Sequence, residues 1–170
     1  VLFAGEYDES DTTLEDKIAA GGKTLHKAAE DGDLAAVEAL LRLGADPNEV
    51  DTTEYGPYQD RTPLAVAASR LHIDCVKALL DGGADPNFRG GEKGRSAFYY
   101  FATGIRHRSS QPEKDKVIPN IVKLLVDRRP APNGFVNAEE QTPITLLCSP
   151  SSGRGHYQED IRRALFDLGL

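Results

Sequence analysis

The chain has 170 residues, a formal net charge of −7 and no methionine or tryptophan. The negative charge argues against a general nucleic-acid-binding protein, because such proteins owe their affinity to neutralising phosphates. No apolar run approaches the ~18 residues that a membrane span requires, so we predict no association with a membrane. The absence of methionine at position 1 suggests a fragment of a larger protein.

Residues 1–22 are predicted to be an acidic N-terminal segment that includes a short capping helix. Residues 1–16 contain six acidic side chains and neither lysine nor arginine, which is typical of a solvated tail or of a hook for a basic partner. Thr12 and Glu15 form a capping-box pattern. We therefore expect a helix over residues 13–20 that covers the end of the following core.

A pair of short helices is predicted most clearly after Arg61. Thr62 has the hydroxyl of a helix N-cap, and Pro63 follows at the first helical position, where a missing N–H costs nothing. A second apolar face runs from Ile73 to Leu80, and Gly82-Gly83 permits the left-handed turn that ends it. Helices this short are marginal alone, so the pair needs neighbours of the same kind.

The same pattern recurs earlier in the chain. The opening Thr24-Leu25-His26 and the exit Ala45-Asp46-Pro47-Asn48 match Thr62-Pro63-Leu64 and Ala84-Asp85-Pro86-Asn87 at equal offsets. These motifs resemble the ankyrin repeat, which has a period of ~33 residues. The resemblance implies an all-α solenoid of helix-turn-helix pairs with projecting finger loops. It predicts one ankyrin-repeat domain over residues 23–170, with repeats at about 23–55, 61–94, 95–140 and 141–170.

Two segments between repeats occupy the place of the fingers. Residues 49–61 (finger 1) are longer than the period requires and contain Tyr55 and Tyr58, which we predict either to contact a partner or to fold back over their own repeat. Residues 88–95 (finger 2) are rich in glycine and charge. Their glycines permit tight turns, so finger 2 is also consistent with a simple mobile tip.

The third repeat departs most from the pattern, because about twelve additional residues separate its two helices. This insertion, residues 105–118, is locally basic and is predicted to be either a docking loop or a flexible surface loop. Four aromatic residues, 98–101, begin the repeat. Phe98 and Phe101 are expected to fill the core, whereas Tyr99 or Tyr100 could face outward.

No chemistry-bearing constellation is evident in the sequence. The four histidines lack partners at zinc-site spacings, and the sequence around Ser149 does not fit a nucleophile elbow. Cys75 and Cys148 show no paired spacing, which favours reduced thiols in the cytoplasm or nucleus. We therefore predict no catalytic residue, no metal and no cofactor.

The resemblance implies a non-catalytic module that binds another protein or peptide through its concave surface and fingers, as a monomer. The alternative is a recruiting or autoinhibitory domain of a larger enzyme whose catalytic part lies outside these residues. The predicted partner-binding residues are Glu30, Asp31, Tyr55, Tyr58, Ser69, Arg70, Arg89, Lys93, Arg95, Arg106 and Arg108.

Overall fold

A computed structural model describes residues 22–53, 56–91, 94–106, 116–127 and 166 of the chain. The helices are α1 (Leu25–Asp31), α2 (Leu34–Arg42), α3 (Pro63–Arg70), α4 (Ile73–Asp81), α5 (Ala97–Arg106) and α6 (Ile118–Asp127). Within these ranges there is no β-strand, and finger 2 is closed by an isolated antiparallel bridge between Gly90 and Arg95. The predicted all-α class is confirmed.

The first helix of each clear repeat begins at a threonine N-cap. The Thr24 side chain accepts a hydrogen bond from the Lys27 amide, and the Thr62 side chain accepts one from the Ala65 amide, each at 3.2 Å. Both threonines have extended backbone conformations. The hydroxyls satisfy amides that no helical carbonyl can reach, as the sequence predicts.

A left-handed residue separates the two helices of each clear repeat. In the first repeat this residue is Gly32, with a φ of 72°, and in the second it is Leu71, with a φ of 66°. Leucine rarely adopts this conformation because of its Cβ atom. Leu71 is nevertheless buried in the core, so packing of its side chain offsets the backbone strain.

The two Asp-Pro-Asn exits form matching turns that link successive repeats. The Asp46 carboxylate accepts a hydrogen bond from the Asn48 amide at 2.8 Å, and the Asp85 carboxylate accepts one from the Asn87 amide at 2.9 Å. The Asn48 side-chain carbonyl also accepts from the Asp85 amide at 2.8 Å. Asn48 therefore fixes the exit of one repeat against the exit of the next.

The helices pack in two layers. The first helices α1, α3 and α5 contact one another in sequence order, and so do the second helices α2, α4 and α6. A single apolar core lies between the layers. Its fully buried large side chains are Val37, Leu64, Val66, Val76, Leu79, Phe101, Ile118, Ile121 and Val122. The helix pairs share this core because neither member of a pair can bury its apolar face alone.

The aromatic residues that begin α5 are mostly internal. Phe98 and Phe101 are buried and their rings pack with centroids 5.9 Å apart, which agrees with the predicted core role. Tyr100 is also buried, and its hydroxyl donates to the Asp60 carbonyl of finger 1 at 3.2 Å. Tyr99 is half-buried. Of the two tyrosines that were expected to allow an outward position, Tyr100 is covered by finger 1 and Tyr99 is the more exposed.

Several sequence predictions lie outside the described residues. These are the capping helix over 13–20, the inserted residues 107–115, Cys148 and the fourth repeat apart from Phe166. The proposed domain and repeat boundaries therefore remain predictions. Among the described helices, none has both the length and the apolar character that crossing a membrane would require.

Candidate partner-binding surface

The structure brings together three of the predicted binding residues that are distant in sequence. Glu30 lies near the C-terminal end of α1, Tyr58 lies in finger 1, and Arg70 is the last residue of α3. The parallel packing of α1 and α3 places the ends of these helices side by side, and finger 1 connects the two repeats. We refer to Glu30, Tyr58 and Arg70, together with Lys27, as the Glu30 cluster.

The Glu30 carboxylate is the centre of this cluster. It accepts a hydrogen bond of 2.6 Å from the Tyr58 hydroxyl and one of 3.1 Å from Lys27 Nζ. Its other oxygen accepts a hydrogen bond from Arg70 Nη2. The side chain of Arg70 is 57% exposed, whereas that of Glu30 is 21% exposed. A partner approaching this surface would therefore meet the arginine before the carboxylate.

These contacts shift the pKa values of the Glu30 carboxyl and the Tyr58 hydroxyl. The hydrogen bond from Tyr58 is the largest effect on Glu30, and with Lys27 and Arg70 it outweighs burial and lowers the pKa of the carboxyl to about 2. Burial, followed by the same hydrogen bond, raises the pKa of Tyr58 to about 12. At neutral pH the cluster is therefore a carboxylate that accepts from a neutral phenol and two cations.

Asp31 is paired with lysines on its own repeat. Lys27 Nζ lies 2.8 Å from Asp31 Oδ1, and Lys23 Nζ lies 3.6 Å from Asp31 Oδ2. Lys23 also contacts Asp33 at 2.7 Å. The hydrogen bond from Lys27 is the main reason that the pKa of Asp31 falls below its usual value. The predicted acidic residues are thus locally neutralised and do not form a bare negative strip.

Ser69 lies where two first helices approach closely. Its hydroxyl donates to the Val66 carbonyl within α3 at 2.9 Å. A Cβ atom added to Gly104 of α5 would lie 3.0 Å from Ser69 Cβ and 3.1 Å from the Ser69 carbonyl oxygen. The backbone near Gly104 therefore covers part of Ser69, which is only half-exposed.

The described arginines of finger 2 occupy different environments. Arg89 is exposed, and Arg95 is half-buried with its guanidinium 4.6 Å from the centre of the Tyr99 ring. This cation–π contact fixes Arg95 against α5. The remaining predicted binding residues, Tyr55, Lys93, Arg108 and the side chain of Arg106, lie outside the described residues.

Lys27 and His72 also support the surface, although neither was predicted to do so from the sequence. Lys27 precedes Glu30 and Asp31 by three and four positions, and this helical spacing of opposite charges was a detectable signal. His72 Nε2 donates to the Glu30 carbonyl at 3.0 Å. This bond joins residues 42 positions apart, so no local pattern could have revealed it.

His26 connects the start of α1 to the end of finger 1. It is buried, and its Nε2 donates to the Arg61 carbonyl at 2.9 Å. Its ring stacks on Tyr58 with centroids 5.7 Å apart. In the described part of the chain, no three His, Cys, Asp or Glu side chains are grouped so that they could hold a metal ion. The geometry supports contact with another macromolecule through paired, partly exposed side chains.

The family model for ankyrin repeats, in three copies, matches residues 10–108. The chain belongs to the ankyrin repeat family. Ankyrin repeats are generally protein–protein interaction modules and are typically non-catalytic. The family match agrees with the stacked helix pairs, the threonine caps and the Asp-Pro-Asn exits of this ankyrin repeat protein.

Curated relatives are similar in sequence to parts of this ankyrin repeat protein. It is 31% identical over 129 residues to "Ankyrin repeat, SAM and basic leucine zipper domain-containing protein 1" of Carollia perspicillata, covering 75% of the chain and 22% of the relative. It is 29% identical over 139 residues to "ANK repeat-containing protein nipk-1" of Caenorhabditis elegans, covering 80% of the chain and 21% of the relative.

A further relative is "Probable E3 ubiquitin-protein ligase XBOS33" of Oryza sativa subsp. japonica. The two sequences are 41% identical over 70 residues, which cover 41% of the ankyrin repeat protein and 13% of the relative. The ankyrin repeat protein thus spans less than a quarter of the length of each of these three relatives.

Proposed function

We propose that this chain is a non-catalytic module that binds a peptide or protein partner through a concave surface formed by α1, α3 and the two fingers. The observation that supports this most directly is the Glu30 cluster. It places side chains from two successive repeats and finger 1 on one surface, and its outermost member, Arg70, is a residue type common at the centres of interfaces.

The pre-organised geometry of the cluster favours binding. Arg70 is oriented by its ion pair with Glu30, and Glu30 is in turn held by Tyr58. An arginine that is already ordered loses less conformational entropy when it contacts a partner. Asp31, Ser69, Arg89 and Arg95 extend the proposed surface, and a functional interface would cover ~800 Å² on each partner.

Site-specific photo-crosslinking would test this proposal. A photoreactive phenylalanine analogue is placed at Arg70 and, as a matched control, at Lys77, which is exposed on the second-helix layer. In extracts of the source organism we expect the variant at position 70 to form a discrete adduct with another protein and the variant at position 77 to form none. Equal adducts at both positions, or none at position 70, would contradict the proposal.

A second proposal is that the chain recruits substrates for, or inhibits, an enzyme domain elsewhere in a longer polypeptide. The similarity to a relative named as a ubiquitin ligase, of which the chain covers 13%, favours this possibility. The test is to replace Arg70 with Glu in the full parent protein and measure turnover with protein and small-molecule substrates. A recruiting role requires that turnover falls with protein substrates only. Autoinhibition requires that turnover rises with both protein and small-molecule substrates.

The proposed module acts as a monomer in the cytoplasm or nucleus and requires neither nucleic acid, membrane nor cofactor. The free thiol of Cys75 supports an intracellular site, because such compartments keep thiols reduced. Sedimentation of the chain at several concentrations would test the monomeric state. A mass that rises with concentration would contradict it.

A further inference from the structure

A cavity of about 370 Å³ lies between the start of α1 and finger 1. Its size is at the lower end of the ~300–1,000 Å³ typical of ligand pockets, so it suits one long side chain and not a folded domain. The described residues that line it are Thr24, His26, Glu49, Val50, Asp51, Thr52, Thr53, Pro57 and Tyr58.

The described residues of finger 2 do not line this cavity. Finger 2 packs against finger 1, where a Cβ atom on Gly90 would lie 2.6 Å from Val50 Cγ2 and one on Gly91 would meet the Asp60 carboxylate. The close approach of these glycines to finger 1 means that one side of the finger is already covered. The described residues that line the cavity belong to finger 1 and to the start of α1.

The polar wall of the cavity is negatively charged. Glu49 is exposed, and among the described residues its carboxylate forms no ion pair. Burial of Asp51 opposes ionisation, but hydrogen bonds from the Thr53 side chain and amide outweigh it, so that the pKa of this carboxyl lies below its usual value. No described lining residue is a lysine or arginine. Among the described residues, the wall therefore presents two carboxylates and neither a lysine nor an arginine.

The remaining wall is apolar and aromatic. Val50 and Pro57 offer aliphatic surface, and Tyr58 offers a ring that is already stacked on His26. The stems of arginine and lysine pack well on aliphatic surface while their charged heads remain near polar groups. A cationic head is also attracted to a tyrosine ring.

We propose that this cavity binds the side chain of an arginine or lysine supplied by a protein partner. The carboxylates of Glu49 and Asp51 attract the cationic head, and Val50, Pro57 and Tyr58 contact its stem. This proposal rests on the proposed binding function and adds the chemistry of the partner. An acidic partner segment is disfavoured because its charge would lie beside two carboxylates.

A titration followed by nuclear magnetic resonance tests the proposal with a defined probe. The full ¹⁵N-labelled chain is titrated with N-acetyl-arginine methylamide into the tens of millimolar range, because a single side chain is expected to bind with a Kd on the order of 1 mM. N-acetyl-norleucine methylamide at matched ionic strength is the uncharged control. The amides of Asp51, Thr52 and Thr53 report on the cavity.

We expect saturable shifts of these amides with the arginine probe and none with the norleucine probe. Replacing Glu49 by Gln should weaken binding about threefold, since an exposed ion pair contributes ~0.2–1 kcal/mol. Replacing Glu38 by Gln, an exposed carboxylate on α2, should leave the Kd unchanged. Because Glu49 is exposed, its replacement is not expected to unfold the chain.

Three results would overturn the proposal: no saturable shift with the arginine probe, equal shifts with norleucine, or equal weakening by the substitutions at Glu49 and Glu38. If residues 1–21 of the chain itself occupied the cavity, the arginine probe would produce no saturable shift. Crosslinking at Arg70 reports separately on the concave surface. An adduct there without arginine binding would reject the cavity proposal and retain the interaction module.

Discussion

The Tyr58 hydroxyl donates a hydrogen bond of 2.6 Å to the Glu30 carboxylate. This bond joins finger 1 to the end of the first helix in the preceding repeat, and Arg70 of the following repeat completes the contact. Glu30 therefore connects three structural elements through one side chain. The stability of the stack should depend on the ionisation of that carboxylate.

Acidification should weaken the fold through Glu30. Its pKa falls from a usual 4.5 to about 2 in the folded chain, so its ionised form stabilises the fold above pH 4.5. That contribution is lost as the pH falls from 4.5 towards 2, because Glu30 takes up a proton in the unfolded chain over this range while it remains ionised in the folded chain. Urea unfolding at pH 7, 4.5 and 3 measures the effect.

The Glu30→Gln variant is the control for that pH dependence. It should be less stable than the parent at pH 7 and should lose less stability on acidification, although Asp31, Asp33 and Asp51 also have lowered pKa values and contribute in the same direction. If the free energy of unfolding fell equally for the parent and the variant between pH 4.5 and 3, Glu30 would not be the cause of the pH dependence.

Replacing Leu79 by Ala should strongly destabilise the stack. Leu79 lies on α4 and is fully buried in the core. Truncation of such a leucine costs about 2–5 kcal/mol. That loss is a large part of the ~5–15 kcal/mol available to a typical domain. Chemical denaturation measures it. Leu43→Ala is the matched control, because Leu43 is 55% exposed and should change stability little.

Gly32→Ala should be more damaging than Gly44→Ala. Both glycines have positive φ angles, of 72° and 88°, so each substitution incurs backbone strain of roughly 1–2 kcal/mol. Only at Gly32 would the new Cβ atom meet a neighbour, 2.6 Å from His72 Nδ1. We expect an additional loss of about 1–3 kcal/mol at Gly32 from this clash.

The double variant Gly32→Ala/His72→Ala tests the origin of that difference. It should recover part of the additional loss, although it also removes the hydrogen bond from His72 to the Glu30 carbonyl. Thermal unfolding of the parent, Gly32→Ala, Gly44→Ala and the double variant provides the comparison. Equal destabilisation by Gly32→Ala and Gly44→Ala would mean that the His72 side chain moves away from the new Cβ atom without loss of stability.

Cys75 should be unreactive in the folded chain. Burial, with a smaller contribution from the charge of Asp74, raises the pKa of its thiol to about 11, and the residue is 1% exposed. Since the thiolate is the reactive form, iodoacetamide at pH 8 should alkylate Cys75 only as fast as the repeat opens. The experiment uses a Cys148→Ser background, in which urea should accelerate labelling strongly. Equal rates with and without urea would contradict the burial.

Much of the repeat architecture follows from local sequence. Thr24 and Thr62 cap helices as predicted because an N-cap bond spans only three residues. The Asp46 and Asp85 turns are equally local, with bonds spanning two residues. The apolar spacing of the second helices specifies which faces are buried. These features depend on bonds and spacings contained within one repeat.

The arrangement of the candidate surface was only partly predictable. Glu30 and Arg70 were predicted to contact a partner, and Tyr58 either to contact a partner or to fold back over its own repeat. The Tyr58 ring does fold back and stacks on His26, but the contacts that join Glu30, Tyr58 and Arg70 were not foreseen. Which of Tyr99 and Tyr100 is covered was not predictable for the same reason, because the burial of Tyr100 depends on the position of finger 1. Both relationships join residues at least 28 positions apart.

The sequence by itself determined the helix pairs, their caps, their exits and the family, since these depend on the backbone preferences and apolar period of short segments. Only the tertiary structure decided which charges are paired, how closely Gly104 approaches Ser69 and where a cavity remains beside finger 1. Those properties depend on the distance and rotation between neighbouring repeats. That geometry is set by the packing of all the core side chains together, and no single segment encodes it.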